Sequence, residues 1–382
     1  MKKIAVVYGT RPEAIKLVPL LLKKDQLLSD GIRLISVFTG QHRQMVDTIH
    51  ERFRIKPDYD LNLMKEKQSL TSIVSACLAG LDQIHHSVNG IDGTIVQGDT
   101  TTCMAAGLFS FYNKVPVFHV EAGLRSHNIH SPYPEEFNRK VLGLFADIHF
   151  APTQESAQNL LKEGISAEKV ITTGNTSIDT LLLSQSSGFQ KSTDLPQEVS
   201  QFIEDQKTKT ILVTMHRRES FGAPMKNVFN AILDCLNSRQ DIKFLFFAHL
   251  NPSVQEAIHE VFQEKYPRLL IFPPQDYFGF IKCLKSCYFI LTDSGGLQEE
   301  GPALGKPVLV ARENTERPEA VNAGSSLLVG TNQSKIIQSV NLLMDNTSIY
   351  NKMATAKNPF GDGTATVQIL EAVKKFYFSN KQ

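Results

Sequence analysis

The stretch FILTDSGGLQEEGPALGKPVLVARENTERPE, residues 289–319, has the pattern of a strand, a turn, a helix and a second strand. Its first apolar run predicts a buried strand at 288–291, and the run at 307–310 predicts another. Between them the diglycine 295–296 forms a turn, and a helix begins at Leu297. A strand, a helix and a strand in this order form one βαβ unit of a parallel sheet, so the stretch predicts an α/β fold.

The same turn carries groups that suit a nucleotide diphosphate. Its glycines let a phosphate approach the backbone N–H groups, and the positive end of the following helix complements an anion. Hydroxyl, carboxylate and guanidinium groups around the turn can bind ribose and diphosphate. These groups belong to Ser294, Glu299, Glu300, Arg312 and Arg317. Ser-Gly-Gly alone also fits an ordinary strand-to-helix turn, and it is the acidic pair and the arginines that favour a nucleotide pocket.

The sequence does not match the other nucleotide-binding and metal-binding motifs that it partly resembles. Residues 301–306 resemble the end of a P-loop, but the spacing is one residue short and Pro307 stands where a serine or threonine would bind magnesium. No G-x-G-x-x-G follows the first predicted strand, so a nicotinamide site is not predicted. Asp58-Tyr59-Asp60 has the D-x-D spacing of metal-dependent glycosyltransferases, but it does not end an apolar strand, so we interpret it as a turn. The sequence therefore predicts neither a metal site nor a cofactor.

Length and composition exclude several classes of protein. At 382 residues the chain exceeds what one hydrophobic core usually organises, which favours two domains. A net charge of +1 argues against a nucleic-acid surface, and no apolar stretch is long enough to span a membrane. The apolar run at the N-terminus is broken by Gly9, so it predicts a strand and not a signal peptide. Together with an odd number of cysteines, five, this favours a cytoplasmic protein with reduced thiols.

Strand and helix patterns alternate along both halves of the chain. Thr10 and Glu13 form a capping box that opens the first helix, which we expect to continue to about Leu28. A polar segment then interrupts the alternation and is interpreted as a linker. Predicted strands lie at 3–8, 34–38, 94–97, 115–120, 147–150, 170–172, 210–214, 243–247, 269–272, 288–291 and 307–310.

This alternation predicts an α/β protein of two doubly wound Rossmann-like domains facing a cleft. The first domain covers 1–183, the linker region 184–207 and the second domain 208–363. An amphipathic C-terminal helix, 364–380, is expected to pack back on the first domain.

Ligands in such sheets bind beyond the carboxyl ends of the strands, where this sequence places several charged groups. Asp99 and Glu121 each follow a predicted strand of the first domain, and Arg11 and Lys16 follow its first strand. The second domain adds His216 directly after its first strand. One acidic residue at a strand end is usually a helix cap, but several on one edge favour acid–base catalysis. Such groups could move a proton at one carbon of a nucleotide sugar, although the residues alone do not favour this over glycosyl transfer.

Nine motifs follow one another over nearly the whole chain. They are GTRPEAIK (9–16), TGQHRQM (39–45), QGDTTT (97–102), HVEAGLRS (119–126), PYPEEFNR (132–139), MHRRES (215–220), HLNP (249–252), LTDSGGLQEE (291–300) and TERPE (315–319). Together they resemble the UDP-N-acetylglucosamine 2-epimerase family, in its bacterial non-hydrolysing branch. The resemblance implies a GT-B-type fold, no metal or nicotinamide cofactor, and a homodimer. It also implies interconversion of UDP-N-acetylglucosamine and UDP-N-acetylmannosamine through elimination of UDP and a bound 2-acetamidoglucal, which supplies N-acetylmannosamine for cell-surface polysaccharide.

Carried over motif by motif, the resemblance also implies roles for single residues. The acid–base groups are Asp99, Glu121 and Glu135, and His216 and Lys16 are further catalytic residues. UDP is held by Arg11, Ser294, Gly295, Gly296, Glu300 and Arg317. An allosteric site for the substrate itself comprises Gln41, Gln44, Lys67, Glu136, Arg217 and His249, with Lys67 standing where such members have arginine.

Three departures from the family motifs, Met215, Gly301 and Asn314, leave the exact sugar open. The alternatives are a hydrolysing 2-epimerase that releases N-acetylmannosamine and UDP, a 2-epimerase for a related UDP-diacetamido sugar, and a GT-B glycosyltransferase. A nucleotide-sugar sensor would need the pocket without the carboxylates.

Overall fold

The computed structural model describes residues 1–41, 43–64, 68–186, 195–205 and 207–379. The contacts divide the chain into two compact units. The first comprises Met1–Phe189 and Phe360–Gln382, and the second comprises Gln190–Pro359. Part of the segment that we interpreted as a linker, Gln197–Glu204, is a helix of the second unit.

Within the described ranges, seven strands of the first unit form a parallel sheet. They are β1 (Lys2–Tyr8), β2 (Ile32–Phe38), β3 (Tyr59–Asp60), β4 (Gly93–Gln97), β5 (Val117–Val120), β6 (Ile148–Ala151) and β7 (Val170–Thr172). Their spatial order is β3-β2-β1-β4-β5-β6-β7. The helices are α1 (Arg11–Leu21), α2 (Lys24–Ser29), α3 (Arg43–Phe53), α4 (Leu70–Ser87), α5 (Thr101–Tyr112), α6 (Glu135–Phe145), α7 (Gln154–Lys162) and α8 (Thr176–Ser184).

The capping box at the start of α1 is confirmed. The Thr10 side chain accepts a hydrogen bond from the Glu13 backbone, and Glu13 Oε2 accepts one from the Thr10 backbone at 2.7 Å. The helix is shorter than we expected, because the chain tightens at its end, where the Lys23 N–H donates to the Leu20 carbonyl at 3.1 Å. A second helix, α2, then begins at Lys24.

The interpretation of Asp58-Tyr59-Asp60 as a turn is wrong, because Tyr59 and Asp60 form the edge strand β3 beside β2. The Ser36 N–H donates to Asp58 at 2.8 Å, which fastens this short strand to its neighbour. Asp58 pairs with Lys24 at 2.6 Å and Asp60 with Arg43 at 2.7 Å. Both carboxylates are therefore used in ion pairs within the first unit.

The second unit repeats the architecture. Its described strands are β8 (Lys209–Met215), β9 (Ile242–Ala248), β10 (Leu269–Phe272), β11 (Phe289–Thr292), β12 (Val308–Val310) and β13 (Ser326–Leu328), in the spatial order β10-β9-β8-β11-β12-β13 and all parallel. Its helices are α9 (Gln197–Glu204), α10 (Ala223–Ser238), α11 (Pro252–Val261), α12 (Tyr277–Ser286), α13 (Leu297–Ala303), α14 (Pro318–Asn322), α15 (Gln333–Asp345) and α16 (Thr347–Ala354). The sequence pattern did not predict β13. The opening stretch forms β11, α13 and β12 as predicted.

The last helix, α17 (Ala365–Phe378), belongs to the first unit. At its start the Thr366 N–H donates to Asp179 at 2.7 Å. Near its end the Tyr377 hydroxyl donates to the Asp92 carbonyl at 2.6 Å. No helix within the described ranges is both long enough and apolar enough to cross a membrane.

The strand order of each sheet reverses beside its first strand. In the first unit the reversal lies between β1 and β4, and in the second it lies between β8 and β11. Loops diverge at such a point, so the carboxyl ends of these two strand pairs leave room for a ligand. The predicted α/β class with two doubly wound sheets is therefore confirmed.

Two buried histidines in neighbouring strands make stability depend on pH. His119 in β5 donates from Nε2 to the Gly98 carbonyl at 2.7 Å, and burial lowers its pKa to about 4. Burial likewise lowers the pKa of His149 in β6 to about 3. In the unfolded chain a histidine has a pKa of roughly 6.5. Because the unfolded state binds more protons, stability is complete above that value and is lost as the pH falls towards the folded-state values.

We expect the free energy of unfolding to be lower at pH 5 than at pH 7. The titration of His119 alone should account for about 2 kcal/mol of the difference. Urea unfolding at both pH values measures it. His119→Gln, which cannot titrate, should show a smaller difference between the two pH values, whereas His86→Gln, at an exposed position, should behave like the parent. An equal pH dependence in parent and His119→Gln would contradict the assignment.

Candidate active site

Glu121 is an acidic residue with an unusual backbone conformation at the carboxyl edge of the first sheet. It follows β5 directly and has a φ of 63°, a left-handed backbone that residues other than glycine rarely adopt. Its Oε2 accepts hydrogen bonds from Lys16 Nζ at 2.5 Å and from Asn175 Nδ2 at 2.7 Å. The Glu121 side chain is only 7% exposed. An unfavourable backbone conformation of this kind is kept only where neighbouring contacts enforce it. Such conformations are common at functional sites.

Asp99 lies at the end of the neighbouring strand β4. Arg139 Nη2 pairs with its Oδ2 at 2.5 Å, and Asn138 Nδ2 donates to its backbone carbonyl at 2.8 Å. Both partners belong to α6, so that helix fixes the position of Asp99. Asp99 and Glu121 thus stand at adjacent strand ends, each beside a different cation.

The two glutamates that open α6 have different surroundings. Glu136 is buried, and its carboxylate accepts from the Ser126 N–H at 3.0 Å and from Arg139 at 3.0 Å. Glu135 is half-buried, and its side chain makes no hydrogen bond or ion pair with the described parts of the chain. Glu136 therefore holds the loop in place, while the Glu135 carboxylate is available to a ligand.

Glu13 joins the ends of β1 and β4. It is buried, accepts from the Gly9 and Thr10 N–H groups, and accepts from the Thr100 hydroxyl at 2.6 Å. Burial raises its pKa, while these hydrogen bonds oppose the increase. The predicted ligand Arg11 is half-buried at the first position of α1, beside this junction.

In the second unit, His216 lies where β8 ends. Its Nδ1 is 3.1 Å from Asp293 Oδ1, and its ring stacks on that of His249, with the two ring centroids 6.1 Å apart. Asp293 is buried at the end of β11. Burial alone would raise the pKa of Asp293, but the hydrogen bonds and charge of His216 hold it below its ordinary value.

The predicted nucleotide turn follows Asp293. The Ser294 N–H donates to Thr292 Oγ1 at 2.9 Å, which leaves the Ser294 hydroxyl at the start of the turn. A side chain at Gly295 would lie 2.8 Å from Glu316 Oε1, so the backbone there is closely approached. Glu300 is half-buried in the first turn of α13, and Gly296 is exposed just before it.

Three arginines surround this turn, and the structure pairs each with a carboxylate. Arg317 Nε donates to Glu299 at 2.6 Å, so Glu299 orients Arg317 beside the turn. Arg217 and Arg312 both pair with Glu316, whose side chain lies over Gly295. Burial would raise the pKa of Glu316, but the neighbouring arginines hold it below its ordinary value. The result is a charged cluster at the carboxyl edge of the second sheet.

The residues predicted for allostery are distributed over both units. In the first unit, Gln41 accepts from the Thr102 hydroxyl at 3.1 Å, and Gln44 is exposed on α3. Lys67 lies outside the described residues. In the second unit, Arg217 binds Glu316 and His249 stacks on His216, so both are neighbours of predicted catalytic or nucleotide-binding residues.

Sequence reasoning missed the partners of the predicted residues. Arg139, Asn175, Asp293 and Glu316 each contact a predicted site residue through the side chain. Arg139, Asp293 and Glu316 stand inside motifs that we quoted, so their place in a motif was a usable signal. Asn175 lies in no motif, and only the packing of α8 in the first unit brings it to Glu121.

The arrangement suits acid–base chemistry on a phosphorylated ligand. The first unit presents carboxylates in different surroundings, which allows one to donate and another to accept a proton. The second unit presents a glycine turn, arginines and a histidine, which suit a diphosphate. Within the described ranges, no group of three or more histidine, cysteine, aspartate or glutamate side chains could hold a metal ion.

Known proteins resemble the chain over its whole length. The profile of the family described as UDP-N-acetylglucosamine 2-epimerase matches residues 26–374. The UDP-N-acetylglucosamine 2-epimerase of Bacillus subtilis (strain 168) is 44% identical over 384 aligned residues, covering 100% of this chain and 98% of the relative. That of Escherichia coli (strain K12) is 44% identical over 377 residues, covering 97% of this chain and 98% of the relative.

A solved structure extends the similarity to three dimensions. The crystal structure of UDP-GlcNAc 2-epimerase from Neisseria meningitidis bound to UDP-GlcNAc has a TM-score of 0.85 and 41% sequence identity to this chain. The match covers 98% of this chain and 100% of that one. Since the family profile spans most of the sequence and these relatives cover nearly all of it, the chain belongs to the UDP-N-acetylglucosamine 2-epimerase family.

Proposed function

We propose that this protein is a non-hydrolysing epimerase that interconverts UDP-N-acetylglucosamine and UDP-N-acetylmannosamine. The observation that carries this assignment is the pair Asp99 and Glu121 at adjacent strand ends, each fixed by a different cation. Inversion at C2 needs a proton removed from one face of the sugar and another added to the opposite face. A glycosyltransferase generally needs one base, so two separately positioned carboxylates favour epimerisation.

The reaction begins with loss of the C2 proton to a carboxylate of the first unit. The C2–H electron pair forms the C1=C2 double bond, and the C1–O bond to UDP breaks, which gives 2-acetamidoglucal and UDP. A second acidic group then protonates C2 from the other face, and the UDP oxygen re-forms its bond to C1. We assign the proton transfers to Asp99, Glu121 and Glu135.

The departing diphosphate carries negative charge that the protein must stabilise. We assign this task to His216 and to the cation Lys16, and binding of UDP to the turn Ser294–Gly296 with Arg11, Glu300 and Arg317. Support comes from the second unit, where Glu299 orients Arg317 beside the turn. Lys16 also lies against the Glu121 carboxylate, so its positive charge faces one of the proposed acid–base groups.

One incubation tests the function. UDP-N-acetylglucosamine is incubated with the protein in deuterated water and followed by NMR and mass spectrometry. We expect deuterium at C2 of both epimers, with UDP still attached. Free UDP with free N-acetylmannosamine would instead establish the hydrolysing reaction, and turnover only after addition of an acceptor would establish glycosyl transfer.

We also propose a cytoplasmic homodimer that supplies N-acetylmannosamine for cell-surface polysaccharide. The proposal of a dimer is supported by three exposed apolar side chains on α5 and α6 of the first unit, Phe111, Tyr112 and Leu144. Leu144 is 82% exposed, and covering such side chains is a common reason for self-association. Light scattering should give twice the chain mass of 42.6 kDa, and Leu144→Glu should lower it towards the monomer.

Gln41, Gln44, Lys67, Glu136, Arg217 and His249 are proposed to make UDP-N-acetylglucosamine an activator of its own conversion. The contacts of Arg217 and His249 with Glu316 and His216 support the proposal, since a ligand there would act on neighbours of the nucleotide turn. The buried Glu136 would act by holding its loop and Arg139 in place.

We therefore expect the reverse reaction, started from pure UDP-N-acetylmannosamine, to be slow until a trace of UDP-N-acetylglucosamine is added. Initial rates with and without the trace measure the effect. Gln44→Ala should respond less to it than the parent, while Gln26→Ala, in the same unit on α2, serves as the control. An initial rate that the trace does not change in the parent would refute the proposal.

A further inference from the structure

Asp293 contacts both the backbone and the side chain of His216. Its Oδ2 accepts hydrogen bonds from the backbone N–H groups of His216 at 2.9 Å and Arg217 at 2.8 Å. Its Oδ1 lies 3.1 Å from His216 Nδ1. Asp293 is wholly buried, whereas the His216 side chain is 36% exposed. One carboxylate therefore holds both the backbone and the ring of a histidine that reaches solvent.

The two central strands of the second sheet hold this pair. The strands β8 and β11 are hydrogen-bonded neighbours, with Thr214 beside Thr292 in the register. The hydroxyls of these two threonines are 2.6 Å apart, and the Asp293 N–H donates to the Thr214 carbonyl at 3.3 Å. His216 and Asp293 thus project from adjacent strand ends at the point where the strand order reverses. Groups on such elements are held more exactly in place than groups on long loops.

The contact determines which ring nitrogen is available. A carboxylate accepts hydrogen bonds only, so Nδ1 beside Asp293 must carry a proton. In the neutral ring Nε2 is then an acceptor, and in the charged ring it is a second donor. The turn Ser294–Gly296 follows Asp293 directly, which places the nucleotide turn next in the chain to the residue that orients the ring.

We propose that Asp293 is a positioning residue that fixes His216 with Nδ1 protonated and Nε2 directed at the diphosphate of the nucleotide sugar. The inference rests on the proposed function, because it gives His216 a task at the leaving UDP. In the elimination step Nε2–H donates to a phosphate oxygen as charge develops there, and no covalent bond to the histidine forms. The buried carboxylate stabilises the charged ring during that step, as orienting carboxylates do for other functional histidines.

Asp293→Asn tests the proposal. Asparagine keeps the shape and one acceptor oxygen, but its NH2 group cannot accept the Nδ1 proton, so the ring loses its fixed tautomer. We expect kcat to fall by at least roughly tenfold, because orienting carboxylates contribute from roughly 10-fold to roughly 10⁴-fold at other sites, with UDP affinity changed far less. Asp276→Asn is the matched control, because Asp276 also accepts a backbone N–H in the same unit, that of Gly279, but does so as the N-cap of α12.

A double-mutant cycle separates positioning from a structural role. If Asp293 acts through His216, then Asp293→Asn should change kcat by less than about twofold in a His216→Gln background. A full loss of kcat in that background, or a parent-like kcat in Asp293→Asn alone, would overturn the proposal. Urea unfolding of each variant establishes that the proteins compared are folded.

One measurement reads the parent protein directly and needs no turnover. Nitrogen-15 NMR of histidine-labelled parent protein, with the His216 signals assigned by their loss in His216→Gln, reports which ring nitrogen carries the proton. We expect protonated Nδ1 and unprotonated Nε2 in the neutral ring. The opposite tautomer would overturn the proposal even if Asp293→Asn fails to fold. Absence of epimerisation by the parent would instead contradict the proposed function and leave the tautomer result standing.

Discussion

Glu121→Gln is expected to lower kcat by roughly 10²- to 10⁴-fold, the usual contribution of an acid–base group. The substitution keeps the size of the side chain and can preserve one hydrogen bond, but it removes both the proton-accepting carboxylate and the charge that faces Lys16 at 2.5 Å. Since proton transfer occurs in the transition state, UDP affinity should change far less than kcat. Steady-state kinetics from both epimers and calorimetric UDP binding measure the two quantities.

Glu163→Gln is the matched control. Glu163 is also a glutamate of the first unit paired with cations, Arg125 and Lys140, but it stands at the C-terminal end of α7, whereas Glu121 directly follows a strand. The substitution Glu163→Gln should leave kcat near the parent value. A Glu121→Gln enzyme with parent-like kcat, or one in which kcat and UDP affinity fall together, would remove Glu121 from the acid–base role.

The fold could be predicted because most strands of both sheets are continuous apolar runs that alternate with helical patterns. Strands such as KKIAVVY in β1 bury five consecutive residues, and that pattern distinguishes a parallel sheet covered on both faces. The strands that we missed, β3 and β13, are two and three residues long, and each contains a polar residue, Asp60 or Ser326. β3 is held by the Asp58 side chain and by backbone pairing with Val37 and Phe38, which no local pattern reveals.

The positions of the site residues could be predicted, but their surroundings could not. Motifs at strand ends identified Asp99 and Glu121, because the topology of a parallel sheet brings those ends to one edge. The contacts that distinguish the two carboxylates come from Arg139 on α6 and from Asn175 at the start of α8, which lie far away along the chain. Such contacts depend on tertiary packing, so the sequence predicted the candidate acids without their individual environments.

Gly123→Ala is expected to cost at least about 3 kcal/mol of unfolding free energy, the largest effect on stability that we predict. Gly123 has a φ of 91°, and a Cβ there would lie 2.2 Å from the backbone carbonyl oxygen of Ser156 in α7. Backbone atoms cannot rotate away as a side chain can, so either α7 or the end of β5 must move. Urea unfolding measures the loss of stability.

Gly164→Ala separates the clash from the backbone conformation. Gly164 has nearly the same φ, 87°, but no atom lies within 4 Å of the position a Cβ would take, so only the strain of a left-handed alanine remains, roughly 1–2 kcal/mol. The movement in Gly123→Ala should also displace Glu121, two residues earlier, from Lys16 and Asn175. We therefore expect the folded fraction of Gly123→Ala to lose kcat as well, while Gly164→Ala keeps it. Equal losses of stability in the two variants would show that the close approach to Ser156 does not hold the end of β5 in place.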